Sequence, residues 1–255
     1  MDSTSWLRRF RKASNPRVRL VCFPHAGGAA SFFASWQHRL PNDVEVLAVC
    51  YPGRENRINE ACVEDMSQMV DGVVVHLEPL LDEGLVFFGH SMGAHIAFEV
   101  ALRLEQTHGK GPLTLLVSGS EGPNYRARKK VTYNDETLLR HVRSLGHGDA
   151  RLFEDPQLRS LLLPPLRSDF RLLENFRPPS GRKARVPITV YTGDRDPEVS
   201  PAGARSWSSA TVGETSIVTY SGDHFYLIES QAELLQDVSE RLARVDRFVS
   251  SHPDT

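Results

Sequence analysis

The chain has 255 residues, which is long enough to bury a core and falls within the range of one large domain. Its composition is ordinary for a globular protein, and a formal net charge of -2 at pH 7 argues against nucleic acid or an anionic membrane as the main partner. No stretch approaches the roughly 18 apolar residues of a membrane span, and the basic N-terminus lacks the apolar segment of a signal peptide. We therefore expect a cytoplasmic protein.

Short apolar runs alternate with longer segments of helical spacing. The runs are mostly rich in β-branched and aromatic residues, and they lie at 18–23, 44–49, 85–88, 113–118, 188–192 and 216–220. Helical spacing marks the segments 61–83 and 92–108 between them. Alternation of this kind predicts the α/β class, with a mostly parallel central sheet flanked by helices on both faces.

One long segment, 121–185, interrupts this alternation. It separates two apolar runs that should form neighbouring strands, and it is too long to be an ordinary loop. It holds helical patterns around 138–142 and at 166–176, together with Pro-Pro pairs at 164–165 and 178–179. We predict a helical cap, or lid, inserted within a single domain that spans residues 1–255.

The cysteines carry no predicted function. Cys22, Cys50 and Cys62 are odd in number and show no C-x-x-C spacing, so neither a disulfide scaffold nor a structural zinc site is expected. Cys22 and Cys50 lie in strand-like runs, where we expect small buried thiols.

A serine between two glycines is the strongest chemical signal. G-H-S-M-G at 89–93 follows the apolar run L-V-F-F and opens a helical segment, which is the pattern of a strand–turn–helix elbow. Such an elbow exposes the hydroxyl of Ser91 at the carboxyl edge of the sheet. It requires Gly89 and Gly93, because side chains there would clash with the neighbouring strand and helix. Ser91 is a candidate nucleophile, and the alternative is a helix N-cap serine in a tight turn.

A general base and its orienting carboxylate are expected downstream of Ser91. His224 follows the last apolar run, and catalytic groups gather on loops at the carboxyl ends of strands in open α/β sheets. Asp194 and Asp196 follow the preceding run, and we favour Asp196 because it falls one turn further into the loop. The order Ser, Asp, His is that of α/β-hydrolase triads. Asp223, beside the histidine, is expected to be a turn residue.

Acyl transfer also needs hydrogen-bond donors for an oxyanion. One is the backbone N–H of Met92, the residue after the candidate nucleophile. The second is expected from the loop F-P-H-A-G-G at 23–28, where small residues let the backbone approach a substrate, and Ala26 is the favoured donor. We expect His25 to pack this loop; its alternatives are a role in proton transfer or a place in the substrate chamber.

These residues resemble the stand-alone type II thioesterases of polyketide and nonribosomal peptide synthesis, a branch of the α/β-hydrolase superfamily. The resemblance runs nearly end to end and is carried by short sequence blocks. They are W-L-R-R-F at 6–10, F-P-H-A-G-G at 23–28, Y-P-G-R-E at 51–55, G-H-S-M-G at 89–93, L-L-P-P-L-R-S-D-F at 162–170, G-D-R-D-P-E-V at 193–199 and G-D-H-F-Y-L at 222–227. Vertebrate medium-chain thioesterases that act with fatty acid synthase are similar in the same blocks.

The resemblance implies a substrate class and a partner. Such an enzyme hydrolyses acyl groups from the 4'-phosphopantetheine arm of acyl or peptidyl carrier proteins, and it removes aberrant or stalled chains from the synthase. By resemblance, Ser91, Asp196 and His224 fall on the family's catalytic triad, and Ala26 with Met92 on its oxyanion donors. The resemblance implies no metal or cofactor, a transient complex with the carrier protein and a monomeric enzyme.

Two departures from the family pattern leave the acyl preference open. S-G-D-H-F has Asp223 where the family more often has a second glycine, and the cap segment at 146–153 strays from the usual Gly-Thr-Pro pattern. Apolar residues of the cap are candidates either for one wall of the acyl chamber or for the core of the cap itself. They are Leu161, Leu162, Leu163 and Phe170.

Two charged positions and two rival functions also stay open. R-A-R-K-K at 126–130 is either a docking site for an acidic carrier or a solvated loop, and Arg54 either shapes the entrance or forms a structural ion pair. A carboxylesterase or acyl-CoA hydrolase would share the triad, whereas a non-catalytic binding protein of this fold would not need it. We expect a stand-alone enzyme rather than a chain-releasing synthase domain, because W-L-R-R-F opens the chain with no carrier domain before it.

Overall fold

The described part of the chain, residues 6–125, 134–146 and 153–249 of a computed structural model, is built around a seven-stranded sheet. The strands are β1 (Leu7–Arg9), β2 (Val18–Phe23), β3 (Val44–Val49), β4 (Leu85–His90), β5 (Thr114–Ser118), β6 (Ile188–Gly193) and β7 (Thr215–Tyr220). Their order in the sheet is β1-β3-β2-β4-β5-β6-β7. β1 is antiparallel to β3, and every other neighbouring pair is parallel.

The predicted strands and the α/β class are confirmed, and the carboxyl ends of β2 to β7 meet at one edge of the sheet. The sequence-based prediction misses β1, because a three-residue strand with two arginines shows no apolar alternation. Tertiary contacts hold β1 instead: Leu7 is in register with Val49, and Arg9 Nε lies 3.1 Å from the buried carboxylate of Glu45.

The described part of the chain contains seven α-helices, of which the second has the predicted bounds. They are α1 (Met66–Leu77), α2 (Met92–His108), α3 (Asp135–Ser144), α4 (Pro156–Asn175), α5 (Pro201–Arg205), α6 (Tyr226–Glu229) and α7 (Gln231–Val249). Asp65 caps α1 by accepting the N–H of Gln68, and α2 stops at Gly109 in the left-handed conformation. None of these helices combines the length and apolarity that a membrane crossing requires.

Helices cover both faces of the sheet and form two apolar cores. α1 and α2 pack on one face, where β2 presents Val21 and Phe23. The 3-10 segment Ala30–His38 and α7 pack on the other face, where β2 presents Leu20 and Cys22. Because successive side chains of a strand point to opposite faces, one strand serves both cores. The Cys22 thiol is buried as predicted, and burial raises its pKa well above the ordinary value.

The segment 121–185 contains α3 and α4, which pack on each other. Leu138 and Leu139 of α3 meet Leu163 and Leu166 of α4 in a small apolar cluster, separate from the two cores of the sheet. The basic run at 126–130 and residues 147–152 of the cap lie outside the described residues.

Helix α4 begins earlier than the helical pattern of the sequence indicates. Asp155 caps it by accepting the N–H groups of Gln157 and Leu158, and Pro at the first helical position suits the start of a helix. The pair Pro164 and Pro165 lies inside the helix, although each proline removes one backbone hydrogen bond. The apolar contacts of α4 hold the helix together through this pair.

Candidate active site

Ser91 joins the last residue of β4 to the first residue of α2, Met92. Its φ and ψ are 54° and -115°, a backbone conformation that residues other than glycine rarely adopt. The N–H of Ser91 donates to the carbonyl of Ser118 on β5 at 2.8 Å, and its own carbonyl accepts from Ala94 at 3.1 Å. Among the contacts of the described residues, its side chain makes no capping hydrogen bond to α2. Strained residues of this kind are concentrated at functional sites.

Gly89 and Gly93 are needed at this elbow because the backbone is tightly packed. A Cβ on Gly93 would overlap the carbonyl oxygen of Phe23 at the end of β2, and a Cβ on Gly89 would overlap the carbonyl of Gly93. Both clashes are with backbone atoms, which cannot rotate away as a side chain can. The start of α2, with Met92, therefore lies directly against the end of β2, from which the loop that contains Ala26 continues.

His224 and Asp196 lie on the loops that follow β7 and β6, at the same edge of the sheet as Ser91. The Nδ1 of His224 lies 3.0 Å from Oδ1 and 2.9 Å from Oδ2 of Asp196. The histidine side chain is 2% exposed and the aspartate side chain 0%. Because a carboxylate only accepts hydrogen bonds, Nδ1 carries the proton and Nε2 is left as an acceptor. An imidazole in this tautomer can take a proton from a hydroxyl.

The two other aspartates of these loops have different partners. Asp194 accepts the N–H of Gly222 at 2.9 Å, and Asp223 accepts the N–H of Phe225 at 2.9 Å. Both hydrogen bonds come from backbone N–H groups of the loop that contains His224, so these two carboxylates fix the conformation of that loop. The imidazole pairs instead with the aspartate that lies further along the loop after β6.

Aromatic rings surround the imidazole of His224. The ring of His90 lies 5.0 Å from it, and the ring of His25 lies 5.7 Å from that of His90. Phe225 packs edge-on against all three histidines, with centroid distances of 5.0, 5.3 and 5.3 Å. His25 is only 7% exposed in this cluster, which favours the interpretation that it packs its loop.

A buried chain of hydrogen bonds connects His90, the residue before Ser91, to β5 and α6. His90 Nδ1 lies 3.0 Å from the hydroxyl of Ser118, and that hydroxyl lies 2.6 Å from the hydroxyl of Tyr226. Burial raises the pKa of Tyr226 although the hydrogen bond to Ser118 lowers it, so the phenol stays neutral. Ser118 therefore holds Ser91 through its backbone and His90 through its side chain. No sequence pattern predicts these hydrogen bonds, because the three residues come from β4, β5 and α6.

The loop from Pro24 to Gly28 is held at both ends by hydrogen bonds. The hydroxyl of Tyr51 donates to the carbonyl of Pro24 at 3.2 Å. The N–H of Gly28 donates to the carbonyl of His25 at 2.9 Å, which closes a tight turn around Ala26. Ala26 is half-buried and packs against the core formed by α1 and α2.

From the sequence, Arg54 either shapes the entrance or forms a structural ion pair, and Asp169 has no predicted role. In the structure these two residues form a buried, two-armed ion pair, with nitrogen–oxygen distances of 2.7 and 2.8 Å. The available sequence signal is that Arg54 lies in the block Y-P-G-R-E and that Asp169, of opposite charge, lies in L-R-S-D-F. That pattern indicates a buried pair only once the fold brings the two blocks together.

Comparison with known proteins identifies the family. A family model described as the thioesterase domain matches residues 18–242. The chain belongs to the thioesterase family. Thioesterase PikA5 of Streptomyces venezuelae is 41% identical over 95% of this chain and 87% of its own length. The gramicidin S biosynthesis protein GrsT of Aneurinibacillus migulanus is 34% identical over 94% of this chain and 94% of its own length.

Solved structures agree with this thioesterase assignment. The type II thioesterase BorB from the borrelidin biosynthetic cluster has a TM-score of 0.85 and 38% sequence identity, over 93% of this chain and 97% of its own. The resemblance that the sequence blocks carry is thus confirmed, and the chain is a hydrolase that acts on thioesters.

The apolar candidates for the chamber of this thioesterase lie on α4, whereas the other candidate, His25, lies in the loop after β2. Leu163 is 5% exposed and belongs to the apolar cluster between α3 and α4, and Phe170 packs at its edge. The ring of Phe170 also meets the ring of His141 edge-on at 5.6 Å. Leu161 is 51% exposed and is not a member of this cluster. The cluster packs α3 against α4, and one of its members, Leu166, lies against Gly27 in the loop that contains Ala26.

Proposed function

We propose that this thioesterase hydrolyses acyl groups from the 4'-phosphopantetheine arm of acyl or peptidyl carrier proteins, with Ser91 as its nucleophile. The observation that carries the proposal is the buried pair of His224 and Asp196, which lies at the same sheet edge as the strained elbow of Ser91. The near full-length similarity to PikA5, GrsT and the type II thioesterase BorB supports a role beside a polyketide or nonribosomal peptide synthase.

The first half of the reaction transfers the acyl group to the enzyme. The Oγ of Ser91 attacks the thioester carbonyl carbon while Nε2 of His224 takes the hydroxyl proton, and Asp196 stabilises the resulting imidazolium. When the tetrahedral intermediate collapses, the carbon–sulfur bond breaks and the imidazolium returns its proton to the pantetheine sulfur. An acyl-enzyme and a free thiol result.

The second half releases the acid. Nε2 of His224 removes a proton from water, and the resulting hydroxide attacks the ester carbonyl of the acyl-enzyme. Collapse of the second intermediate breaks the bond to Oγ of Ser91, which takes the proton back from the imidazolium. The products are a carboxylic acid and the free enzyme, and the cycle uses no metal or cofactor.

We assign the oxyanion contacts to the backbone N–H groups of Ala26 and Met92. The close approach of Gly93 to Phe23 supports this assignment, because it brings the start of α2 against the loop after β2. Met92 is also the first residue of α2, where the helix dipole favours negative charge. Loss of one such donor typically lowers kcat by about 10²- to 10³-fold.

The cap segment 121–185 is proposed to form the lid of the acyl chamber, with its apolar cluster above the loop that contains Ala26. A side chain of this cluster, Leu166, packs onto that loop, Leu163 belongs to the same cluster and Phe170 packs against it. A chamber of this kind suits an enzyme that removes aberrant or stalled chains, because the lid limits which acyl groups reach the elbow. Carrier docking is proposed to be transient, as release of a product chain requires.

The test is single-turnover release of a panel of acyl groups from a phosphopantetheinylated carrier protein, with the wild type and Ser91→Ala compared. The expected result is that the wild type clears short acyl chains broadly and Ser91→Ala does not. Wild-type rates in Ser91→Ala would overturn the assignment of the nucleophile. If the wild type cleaves simple oxygen esters through Ser91 but releases no acyl group from the carrier, the enzyme is a general esterase and the carrier-protein proposal is wrong.

A further inference from the structure

A buried ion pair connects the cap helix α4 to the loop that follows β3. Arg54 Nη1 lies 2.7 Å from Oδ2 of Asp169, and Nη2 lies 2.8 Å from Oδ1, which is the two-armed geometry of a strong pair. The arginine side chain is 8% exposed and the aspartate side chain 1%. The pair lies outside the candidate triad, in two of the sequence blocks that carry the family resemblance.

The loop after β3 is shaped to turn Arg54 inward. Gly53 on one side and Glu55 on the other both have positive φ, at 83° and 48°. The guanidinium stands over the ring of Tyr51, with its carbon 5.3 Å from the ring centroid. Burial opposes the charge of Arg54, but the charge and hydrogen bonds of Asp169 outweigh it and raise the pKa of the guanidinium. A strained turn that encloses a buried, ion-paired charge is costly to build for packing alone.

Both members of the pair also hold the loop that contains Ala26. Asp169 Oδ2 accepts the N–H of Gly27 at 2.7 Å, and Arg54 Nη1 donates to the carbonyl of Gly28 at 3.0 Å. The N–H of Gly27 lies in the peptide unit directly after Ala26, and the carbonyl of Gly28 lies two peptide units further along the loop. The direction of a backbone N–H depends on the orientation of its neighbouring peptide planes, so these contacts limit how the Ala26 N–H can turn.

The cap contributes an apolar contact at the same place. The Cδ1 of Leu166 would lie 2.8 Å from a Cβ placed on Gly27, so α4 rests directly on this loop. Leu166 and Asp169 are three residues apart and therefore share one face of α4. That face presents one apolar and one charged contact to Gly27 and its neighbours.

We infer that Arg54 and Asp169 are positioning residues, whose ion pair fixes the oxyanion donor Ala26 and makes its geometry depend on how α4 is seated. The inference rests on the proposed function, because it takes Ala26 as a donor to the reacting carbonyl. When α4 lies on the loop, Gly27 is bound and Ala26 is aligned for the tetrahedral intermediate.

The main test replaces both charges by apolar side chains, in the double variant Arg54→Met with Asp169→Leu. Exchange of both members of a buried pair avoids an unpaired buried charge, so the fold is kept while the contacts to Gly27 and Gly28 are lost. The assay uses a small acyl-pantetheine thioester, which needs no carrier protein. The expected result is a fall in kcat of about 10- to 100-fold, with KM within about twofold of the wild type.

A second readout separates positioning from stability. An alkyl boronic acid forms a tetrahedral adduct with a serine, and one oxygen on the boron atom occupies the oxyanion position. The affinity of the enzyme for the boronic acid should therefore fall by the same factor as kcat. Arg171→Gln is the matched control, because it breaks an exposed pair between α4 and Glu64, with a distance of 2.9 Å, and it should change neither quantity. Arg54→Lys keeps the charge but loses the two-armed geometry, and it should give a smaller loss of both.

The outcomes distinguish this inference from the proposed function. A folded double variant with wild-type kcat and boronate affinity overturns the inference, and so does a loss that appears in KM alone. If the double variant does not fold, wild-type kcat in a folded Arg54→Lys variant overturns it equally. Wild-type activity in Ser91→Ala overturns the proposed nucleophile. Loss of activity in Ser91→Ala together with full activity in the double variant leaves the proposed function standing and removes the inference alone.

Discussion

The Nδ1 of His224 lies 2.9 Å from Oδ2 of Asp196, and both side chains are closed to solvent. The two residues stand on loops after neighbouring parallel strands, so the sheet itself sets their separation. Asp196 also accepts the N–H of Glu198 at 2.8 Å, which fixes the carboxylate toward the imidazole. Asp196 therefore both orients the imidazole of His224 and supplies the negative charge beside it. A substitution of Asp196 should remove both effects together.

Asp196→Asn is expected to lower kcat for hydrolysis of an acyl-pantetheine thioester by about 10³- to 10⁴-fold. The amide nitrogen of asparagine donates a hydrogen bond, so the variant favours the tautomer of His224 whose Nε2 is protonated and cannot act as a base. The measurement is steady-state hydrolysis by purified protein, with urea unfolding to show that the variant folds.

The neighbouring carboxylate of Asp194 provides the control for this change. In Asp194→Asn an amide oxygen can still accept the N–H of Gly222, so we expect kcat within about threefold of the wild type. Equal losses in the two variants would contradict the distinct roles that the structure gives these adjacent aspartates.

Much of this arrangement could be predicted from the sequence, because strand ends and turn residues are local properties. The elbow of Ser91 follows from an apolar run, two glycines and a helical pattern, and all three are adjacent in the chain. His224 follows from the same rule, since a polar residue in the loop after a parallel strand lies at the carboxyl edge of the sheet. The strand bounds at 18–23 and 44–49 agree with the structure for the same reason.

The parts that the sequence leaves open depend on contacts between distant residues. Arg54 and Asp169 are 115 positions apart, and nothing local indicates that the two charges meet. β1 depends on its partner β3 rather than on its own composition. Helix α4 continues through Pro164 and Pro165 because its packing outweighs two missing hydrogen bonds, and propensity alone predicts a break there.

Gly93→Ala is expected to lower the free energy of unfolding by at least about 3 kcal/mol, because the added Cβ would overlap the carbonyl of Phe23. Gly109→Ala, at the other end of α2, is the matched control. Gly109 has a φ of 66° and nothing within 4 Å of an added Cβ, so only the left-handed strain of about 1–2 kcal/mol is expected. Urea unfolding of both variants checks the difference, and equal losses would show that the elbow has room for a methyl group.

Tyr226→Phe is expected to lower the free energy of unfolding by about 1–2 kcal/mol, because the buried hydroxyl of Ser118 loses one of its partners. Ser118 keeps its contact with His90, so kcat should fall by less than about tenfold. Tyr220→Phe is the control: its ring stacks on that of Tyr226 at 5.5 Å, and the change keeps this contact. It should alter the stability by no more than about 0.5 kcal/mol. A larger effect of Tyr220→Phe than of Tyr226→Phe would contradict the buried hydrogen-bond chain.

Two glutamates with opposite pKa shifts should give opposite pH dependences of stability. Glu99 on α2 pairs with Arg182 and has a side chain that is 8% exposed. Burial raises its pKa above the ordinary 4.5, although the hydrogen bonds from Arg182 lower it. The side chain of Glu60 is 36% exposed, and hydrogen bonds from Arg57 lower its pKa below 4.5.

The sign of each contribution follows from which state holds the proton more tightly. The folded state binds the proton of Glu99 more tightly than the unfolded state does. The contribution of Glu99 to the free energy of unfolding is therefore fully present below pH 4.5 and is lost as the pH rises through the raised pKa. The contribution of Glu60 is present above pH 4.5 and is lost as the pH falls through the lowered pKa. Urea unfolding of the wild type, Glu99→Gln and Glu60→Gln should be compared from about pH 2.5 to pH 7. As the pH rises, the stability of the wild type should fall relative to Glu99→Gln and rise relative to Glu60→Gln, and parallel curves for all three proteins would show that neither carboxylate is shifted by folding.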